Sequence, residues 1–199
     1  MVDKKQQTID TYNKTASLMA EKFDDLGARV DDINETFKII TKKNPSVLEI
    51  GCGNGRDAME IIKRTNNYLG IDIADNFIKI AKEKVPQGKF ETGDIENYNF
   101  PNNLDIVFAF ASLIHVQKES LRKIFQELYK ALNKGGVIRV SMKYGDNYKE
   151  VSKKDEFGIR TYYFYSEKDI KELASDFTII KNETNKLRNK IWLEFLLQK

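Results

Sequence analysis

The sequence predicts an α/β protein with a doubly wound, mostly parallel sheet and helices on both faces. Three observations support this class. Short apolar runs typical of buried strands alternate with stretches of helical periodicity, and a glycine-rich turn joins the first such run to its helix. The chain has 199 residues, 41% of them hydrophobic, which suffices for one core. We therefore expect residues 1–199 to form a single domain with right-handed crossovers between parallel strands.

The first helical pattern precedes the sheet. Its apolar residues recur at spacings of three and four along one face, which comprises Leu26, Val30, Ile33, Phe37 and Ile40. Pro45 ends this helix. We assign residues 1–43 to an N-terminal helical segment.

Five strands with intervening helices follow. The predicted strands cover residues 46–50, 68–71, 89–92, 104–110 and 137–142. The last of the intervening helices begins near residue 121, and the sequence predicts that Gly135 and Gly136 close it as a C-cap.

The C-terminal part, residues 166–199, breaks the alternation. Ser166 is the predicted N-cap of a helix, and two strand-like runs then follow at 177–181 and 191–197 with no helix between them. Such a pair forms a hairpin. We therefore expect the last strand to run antiparallel, at or near the edge of the sheet.

Composition disfavours several classes of function. The single cysteine, Cys52, and the single histidine, His115, provide neither an internal disulfide nor an ordinary four-ligand zinc site, so we expect no metal. The formal charge is only +3 and basic residues form no long run, which disfavours a nucleic-acid partner. The polar N-terminus and the shortness of the longest apolar run, residues 106–111, predict a cytoplasmic protein without a membrane segment.

The most informative segment is the glycine-rich turn after the first strand, Glu49-Ile-Gly-Cys-Gly-Asn-Gly55. Ligands of open parallel sheets bind beyond the carboxyl ends of the strands, and glycines let the main chain turn there and approach a ligand. A dinucleotide fingerprint needs a third glycine where Arg56 stands, so the spacing disfavours a pyrophosphate. A tight turn that binds nothing is the alternative interpretation.

Two further acids follow the next strand ends. Asp72 lies 21 residues after Gly51, where a carboxylate can accept hydrogen bonds from ribose hydroxyls, although the same position also suits a helix N-cap. Asp94 follows the third strand. With Glu49, these acids stand at three consecutive strand ends, and Coulomb's law favours a nucleoside with a cationic group, such as a sulfonium, over a polyphosphate.

These segments together resemble the class I S-adenosylmethionine-dependent methyltransferases. The matching motifs are Val47-Leu-Glu-Ile-Gly-Cys-Gly-Asn-Gly55, Gly70-Ile-Asp-Ile73 and Gly93-Asp-Ile95, with further agreement over 104–115 and 132–137. The resemblance runs from about Val47 to Lys143. It implies a Rossmann-like sheet of seven strands in the order 3-2-1-4-5-7-6, with the last strand antiparallel and a cofactor-binding core over residues 46–143.

The resemblance also implies the cofactor, S-adenosyl-L-methionine, and the product S-adenosyl-L-homocysteine. The implied cofactor-binding residues are Glu49, Gly51, Cys52, Gly53, Gly55, Asp72, Ile73, Asp94, Ile95 and Ala111. By this resemblance, the first two glycines of the turn approach the methionine part and Asp72 holds the ribose. Asp94 accepts from the adenine amino group, the two isoleucines sandwich the adenine, and Ala111 offers its backbone to the ammonium group.

Two segments outside this core are expected to hold the methyl acceptor. Residues 144–165 contain five of the nine tyrosines, and we interpret them as an aromatic substrate loop in which Arg160, Tyr162 and Tyr163 bind the acceptor. An Arg beside aromatic rings can bind a carboxylate or a phosphate. A strand-like extension with half-buried tyrosines is an equal alternative. Near the N-terminus, residues 8–23 resemble the lid of small-molecule members.

The predicted function is methyl transfer from S-adenosylmethionine to an oxygen, nitrogen or sulfur atom of a small molecule. In-line displacement depends mainly on positioning, and a general base is needed only when the acceptor arrives protonated. His115, Tyr12, Tyr162 and Tyr163 are the candidates for that role, with simple packing as the alternative for His115 and Tyr12. Other functions left open are a non-catalytic regulatory protein that binds the cofactor and a nicotinamide-dependent oxidoreductase. The lack of a basic stripe disfavours a macromolecular acceptor.

Overall fold

The computed structural model describes residues 3–187 and 190–199. Residues 1–2 of the predicted N-terminal segment, and residues 188 and 189 between the last two predicted strands, lie outside the described residues. Among the described residues, no helix combines the length and the apolar character needed to cross a membrane.

Two helices precede the sheet, α1 (Lys4–Leu26) and α2 (Val30–Ile39). The Asp3 side chain caps α1 by accepting hydrogen bonds from the first backbone amides of the helix. The predicted single helix face from Leu26 onward is wrong. Gly27 adopts a φ of 70°, which ends α1, so Leu26 belongs to α1 and the remaining apolar residues of that face begin with α2.

Within the described residues, the sheet contains nine strands. In chain order they are β1 (Val47–Ile50), β2 (Tyr68–Asp72), β3 (Lys89–Thr92), β4 (Leu104–Phe110), β5 (Leu132–Tyr144), β6 (Lys149–Asp155), β7 (Gly158–Tyr165), β8 (Thr178–Leu187) and β9 (Lys190–Gln198). The remaining helices are α3 (Ala58–Ile61), α4 (Asp75–Lys84), α5 (Lys118–Ala131) and α6 (Glu167–Leu173).

The strand order confirms the predicted fold class. Strands β3, β2, β1, β4 and β5 lie side by side in that order and all are parallel. The C-terminal hairpin then adds β9, antiparallel to β5, and β8, antiparallel to β9. These seven strands reproduce the expected order, and the last strand is antiparallel as predicted.

The two additional strands lie in the segment for which the sequence leaves a substrate loop and a strand-like extension as equal alternatives. Residues 149–165 form the β6–β7 hairpin, so the strand-like alternative describes this segment correctly. β7 runs parallel to β5 over only two register pairs, which begin at Lys143 and Phe164. Because β4 pairs with β5 up to Ser141 and β9 occupies the opposite side of β5, the hairpin lies beyond the carboxyl end of β4.

The predicted glycine C-cap of the helix after β4 is also wrong. α5 ends at Ala131 and β5 begins at once, because Leu132 already pairs with Leu104 of β4. Gly135 and Gly136 therefore lie inside the strand.

Apolar side chains cover both faces of the sheet. One cluster joins the sheet to α5 and α6 and includes Phe125, Tyr165 and Phe195, all essentially buried. The other joins it to α2, α3 and α4 and includes Ile33 and Phe108. Helices thus pack on both faces, as the doubly wound class requires.

A buried ion cluster attaches α2 to the sheet. Arg139 of β5 is 2% exposed and contacts Asp32 and Glu35 of α2 and Glu194 of β9, the last two at 3.1 and 3.2 Å. Lys181 of β8 contacts the same Glu35 at 2.9 Å but is 31% exposed. Burial is thus the main difference between the two cations that share this carboxylate.

We predict that Arg139→Met lowers the free energy of unfolding by about 3 kcal/mol, because it leaves partly buried carboxylates without their shared cation. Lys181→Met is the matched control and should cost less than about 1 kcal/mol, as exposed ion pairs do. Urea denaturation of both variants measures these values. Equal losses would contradict the importance of the buried cation.

Candidate active site

The glycine-rich turn begins directly after β1 and contacts the end of the neighbouring strand, β2. Gly51 has a φ of 70°, and its amide donates a 2.7 Å hydrogen bond to the carbonyl of Ile71 at the end of β2. A Cβ atom on Gly51 would overlap the side chain of Ser112, which follows β4. Only glycine satisfies both the backbone angle and the contact.

Asp72 is tied to this turn. Its carboxylate accepts hydrogen bonds from the amide of Gly53 at 3.0 Å and from the amide of Ala74 at 2.9 Å. Burial raises the pKa of Asp72, and the backbone amides that donate to it oppose this shift. An ionised carboxylate has about four acceptor positions, so two amides leave capacity for further donors.

Three residues of the predicted cofactor set face the interior instead. The carboxylate of Glu49 is 2% exposed and accepts a 2.5 Å hydrogen bond from the hydroxyl of Tyr68. The thiol of Cys52 lies in the apolar cluster beneath the turn. A Cβ atom on Gly55 would lie 3.3 Å from Ala81 of α4, which makes this glycine a helix-packing position.

Asp94, Ile95, Ile73 and Ala111 lie at the carboxyl ends of the strands. Asp94 accepts hydrogen bonds from the Lys5 ammonium of α1 at 2.7 Å and from the amide of Glu96 at 3.1 Å. Ile73 and Ile95 are partly buried. Ala111 has a φ of 53°, an unfavourable angle for a residue with a Cβ, and its amide donates to the Ser141 hydroxyl at 2.9 Å.

α1 lies across this edge of the sheet and contacts both sides of it. On the side of the glycine-rich turn, the side-chain amide of Asn54 donates to the carbonyl of Ala20 at 3.1 Å. On the side of the hairpin, the amide of Thr161 in β7 donates to the hydroxyl of Thr8 at 3.0 Å, and the hydroxyl of Thr11 donates to the carbonyl of Ile159 at 2.8 Å. The helix therefore connects the two regions that the sequence assigned to cofactor and acceptor.

Tyr12 and His115 meet beneath α1. The Tyr12 hydroxyl lies 2.7 Å from Nε2 of His115, and Nδ1 of His115 lies 2.5 Å from the carbonyl of Thr161. A carbonyl only accepts, so Nδ1 carries the imidazole proton and Nε2 accepts from the Tyr12 hydroxyl. Two of the candidate bases, 103 residues apart in sequence, thus form one hydrogen-bonded pair.

Burial keeps this pair neutral. It lowers the pKa of His115 to about 4, and the nearby charges of Arg160 and Lys143 act in the same direction. Burial also raises the pKa of Tyr12, against the effect of the Arg160 guanidinium. Near pH 7 the imidazole is therefore an acceptor and the phenol a donor.

Arg160 and Tyr162 of β7 face the same space, whereas Tyr163 does not. The Arg160 guanidinium lies 5.3 Å from the Tyr12 ring centre and 5.6 Å from that of Tyr162, and the Tyr162 ring lies 4.8 Å from that of His115. Tyr163 stacks instead on Tyr148, with ring centres 6.1 Å apart. Successive side chains of a strand point to opposite faces, which separates Tyr163 from the pair.

Sequence reasoning missed Lys143 at this site. Its ammonium lies 4.7 Å from the Tyr162 ring centre and 5.1 Å from that of Trp192, at the carboxyl end of β5. Within the described part of the chain, no group of three or more His, Cys, Asp or Glu side chains is arranged to hold a metal ion.

Comparisons with known proteins agree with this geometry. A family model described as a methyltransferase domain matches residues 47–136. A phosphoethanolamine N-methyltransferase of Plasmodium falciparum is 30% identical over 151 residues, which cover 68% of this chain and 57% of that protein. A malonyl-[acyl-carrier protein] O-methyltransferase of Ilyobacter polytropus is 31% identical over 140 residues, covering 68% of this chain and 47% of that protein.

The fold has a matching solved structure. The 1,6-didemethyltoxoflavin-N1-methyltransferase of Burkholderia thailandensis, crystallised with its substrate and S-adenosylhomocysteine, superposes with a TM-score of 0.73 at 14% identity, over 96% of this chain and 87% of that one. The chain belongs to the class I S-adenosylmethionine-dependent methyltransferases. It spans about half the length of the curated relatives it matches.

The residues at the strand ends fit the family's cofactor. The space where a Cβ of Gly53 would stand is open, with the Phe23 ring as the nearest neighbour at 4.0 Å. Among the described residues, the buried hydroxyl of Ser112 lacks a hydrogen-bond partner, and it lies against Gly51. An accessible main chain, an unsatisfied hydroxyl and the carboxylates of Asp72 and Asp94 suit a nucleoside that carries a sulfonium and an amino acid.

The burial of Glu49 makes the stability of the folded protein depend on pH. Burial and the nearby Asp57 raise the pKa of Glu49 to about 8, against an ordinary value of 4.5. Between these pH values the folded protein binds one more proton than the unfolded chain, so stability falls as pH rises.

We predict that the free energy of unfolding of the natural protein, compared with that of Glu49→Gln, falls between pH 5 and 8 with a slope approaching about 1.4 kcal/mol per pH unit. Denaturant titrations at several pH values measure this slope. Glu127→Gln, on the exposed face of α5, is the control and should follow the natural protein. A difference that stays constant with pH would mean that the Glu49 pKa is ordinary.

Proposed function

We propose that the chain catalyses transfer of the methyl group of S-adenosylmethionine to an oxygen, nitrogen or sulfur atom of a small molecule. The observation that carries this proposal is the Tyr12–His115 pair, whose hydrogen bond of 2.7 Å lies between the glycine-rich turn and the β6–β7 hairpin. A protein that binds the cofactor without turnover needs no such uncharged hydrogen-bond donor and acceptor between the cofactor region and the hairpin.

Binding of the methyl donor is assigned to the ends of β1 to β4. Gly51 and Gly53 give access to the main chain, and Asp72 retains acceptor capacity for the ribose hydroxyls. Asp94 supplies the carboxylate for the adenine amino group, and Ile73 and Ile95 supply the apolar faces. When bound, S-adenosylmethionine supplies an electrophilic methyl group on a good leaving group.

The protein's own contribution is mainly positioning. α1 and the hairpin hold Tyr12, His115 and Tyr162 around one space, and orientation of two reactants accounts for much of the acceleration in such displacements. Tyr12 can accept a hydrogen bond from the acceptor through its oxygen while it donates its own proton to His115 Nε2. A proton leaving the acceptor would therefore pass to the Tyr12 oxygen, as the Tyr12 proton passes to the imidazole.

The relatives support a small acceptor. The matched Plasmodium protein is named for phosphoethanolamine, a small molecule, and the Ilyobacter protein for a malonyl group carried on an acyl-carrier protein. The aromatic rings of Tyr12 and Tyr162 and the Arg160 guanidinium suit a compact molecule that is partly polar. The comparisons do not support the oxidoreductase alternative.

We predict that Asp72→Ala weakens binding of S-adenosylhomocysteine by about 1.5–3 kcal/mol, the range for hydrogen bonds to a charged group. Calorimetric titration measures the dissociation constant. Asp75→Ala is the matched control, because Asp75 is exposed at the start of α4 beside the same strand end, and it should bind like the natural protein. If Asp72→Ala keeps full affinity while folded, the ribose assignment is wrong.

We predict that Tyr12→Phe reduces methyl transfer by about 100-fold, the lower part of the range for acid–base groups, with little change in cofactor affinity. The measurement is S-adenosylhomocysteine formation with a panel of small amines, thiols and hydroxy compounds. Tyr163→Phe removes a hydroxyl on the opposite face of β7 and should retain activity. Equal losses in both variants would indicate a structural effect rather than a role of the pair.

A further inference from the structure

We propose that the acceptor carries a compact anionic group, a phosphate or a carboxylate, and that Lys143 and Arg160 bind it together. The inference rests on the proposed function, since it names the class of molecule that the acceptor space accommodates. It also assigns a specificity role to Lys143, a residue outside all the family motifs discussed above.

Lys143 is a partly buried cation without a counter-charge. Its ammonium lies among three aromatic rings, at 4.7 Å from the centre of Tyr162, 5.1 Å from that of Trp192 and 5.5 Å from that of Phe164. Within residues 3–187 and 190–199, no carboxylate lies within 4.0 Å of its Nζ. Aromatic faces stabilise an ammonium only in part and provide no hydrogen-bond acceptor of carboxylate strength.

Arg160 shows the same incomplete pairing. The residue is 9% exposed and forms an ion pair with Asp155 through one terminal nitrogen. Its other terminal nitrogen reaches only the Tyr12 hydroxyl at 3.5 Å, and its buried Nε lacks an acceptor in the described structure. A buried donor without a partner is costly, and a bound oxyanion would satisfy it.

Arg139 and Arg29, two other buried cations, both have carboxylate partners. Arg139 contacts three carboxylates, although its Nε also lacks an acceptor in the described structure, and Arg29 donates to the carboxylate of Asp57 at 2.7 Å. Lys143 differs from both because it has no carboxylate partner. Such a difference is expected where a ligand supplies the missing negative charge.

The surrounding charges strengthen this conclusion. Burial lowers the pKa of Lys143 to about 8, and the neighbouring charges of Lys190, Arg160 and Lys153 add to the effect. Lys143 and Arg160 thus both lie against the Tyr162 ring, and Asp155 is the carboxylate in ion contact with Arg160. A bound anion would relieve this repulsion and become itself strongly held, because the site is partly shielded from water.

The same anion would prepare the proton acceptor. Arg160 and Lys143 both help to lower the pKa of His115. An oxyanion between them offsets their charges and raises that pKa, so the imidazole becomes a better base only when an acceptor of the right charge is present. Recognition of the anion and activation of the base are then linked through the same two cations.

The test uses inorganic phosphate and acetate as probes, titrated calorimetrically into the full chain saturated with S-adenosylhomocysteine. We expect the natural protein to bind at least one of the two anions, and the stronger one identifies the group as phosphate or carboxylate. Lys143→Met keeps the packing of the side-chain stem and should weaken binding at least about tenfold, the effect of losing one charged hydrogen bond. Lys143→Arg, which keeps the charge, should retain most of the affinity.

Lys134→Met is the matched control, since Lys134 is exposed at the opposite end of the same strand, and it should bind the anions like the natural protein. Binding of neither anion by the natural protein, or an equal loss in both methionine variants, overturns the inference. Titration with S-adenosylhomocysteine alone separates the two levels of the argument. If the natural protein binds S-adenosylhomocysteine but neither anion, only the anion site is refuted. If it does not bind S-adenosylhomocysteine, the proposed function is refuted.

Discussion

The contact between Gly51 and Ser112 is the constraint on which the rest of the site depends. β1 and β4 are neighbours in register, so the chain leaves both strands at the same place. Gly51 and Ala111 both take left-handed backbone angles there, 70° and 53°, and a side chain on Gly51 would overlap Ser112. This close passage directs the glycine-rich turn towards Asp72 on one side and the turn that carries His115 on the other.

α1 completes the site because it is held from both sides. Its hydrogen bonds to Asn54 and to β7 fix the distance between the helix and the strand ends. At this distance the Tyr12 hydroxyl reaches His115. Within α1, Thr15 departs from helical angles, so the helix changes direction between its two attachments. The pair is therefore a product of tertiary packing rather than of any local sequence motif.

The sheet and the strand-end acids were predictable because their signals are local, whereas the side-chain groupings were not. The strand β6 carries charged residues on both faces, so its sequence lacks the alternation that identifies a strand, and its pairing with β7 could not be predicted. Without that strand, nothing distinguishes the orientation of Tyr162 from that of Tyr163. Glu49 stands at a predicted strand end, yet its partner Tyr68 on β2 turns it inward, and Lys143 is informative only because its neighbours bear no opposing charge.

The site is polarised along the edge of the sheet, and this arrangement explains why its centre is neutral. The carboxylate of Asp72 lies on the side of the glycine-rich turn, where that of Asp94 is already paired with Lys5, and the cations of Lys143 and Arg160 lie on the side of the hairpin. A cationic methyl donor would be repelled by the cations on the hairpin side, and an anionic methyl acceptor by the carboxylate side. The charges therefore favour one orientation of the two ligands relative to each other. A charged histidine between the two regions would add to the cations on one side and weaken this preference. Burial holds the His115 pKa near 4 and so keeps the imidazole uncharged. It thereby preserves the charge difference between the two sides of the site, on which the correct placement of methyl donor and acceptor depends.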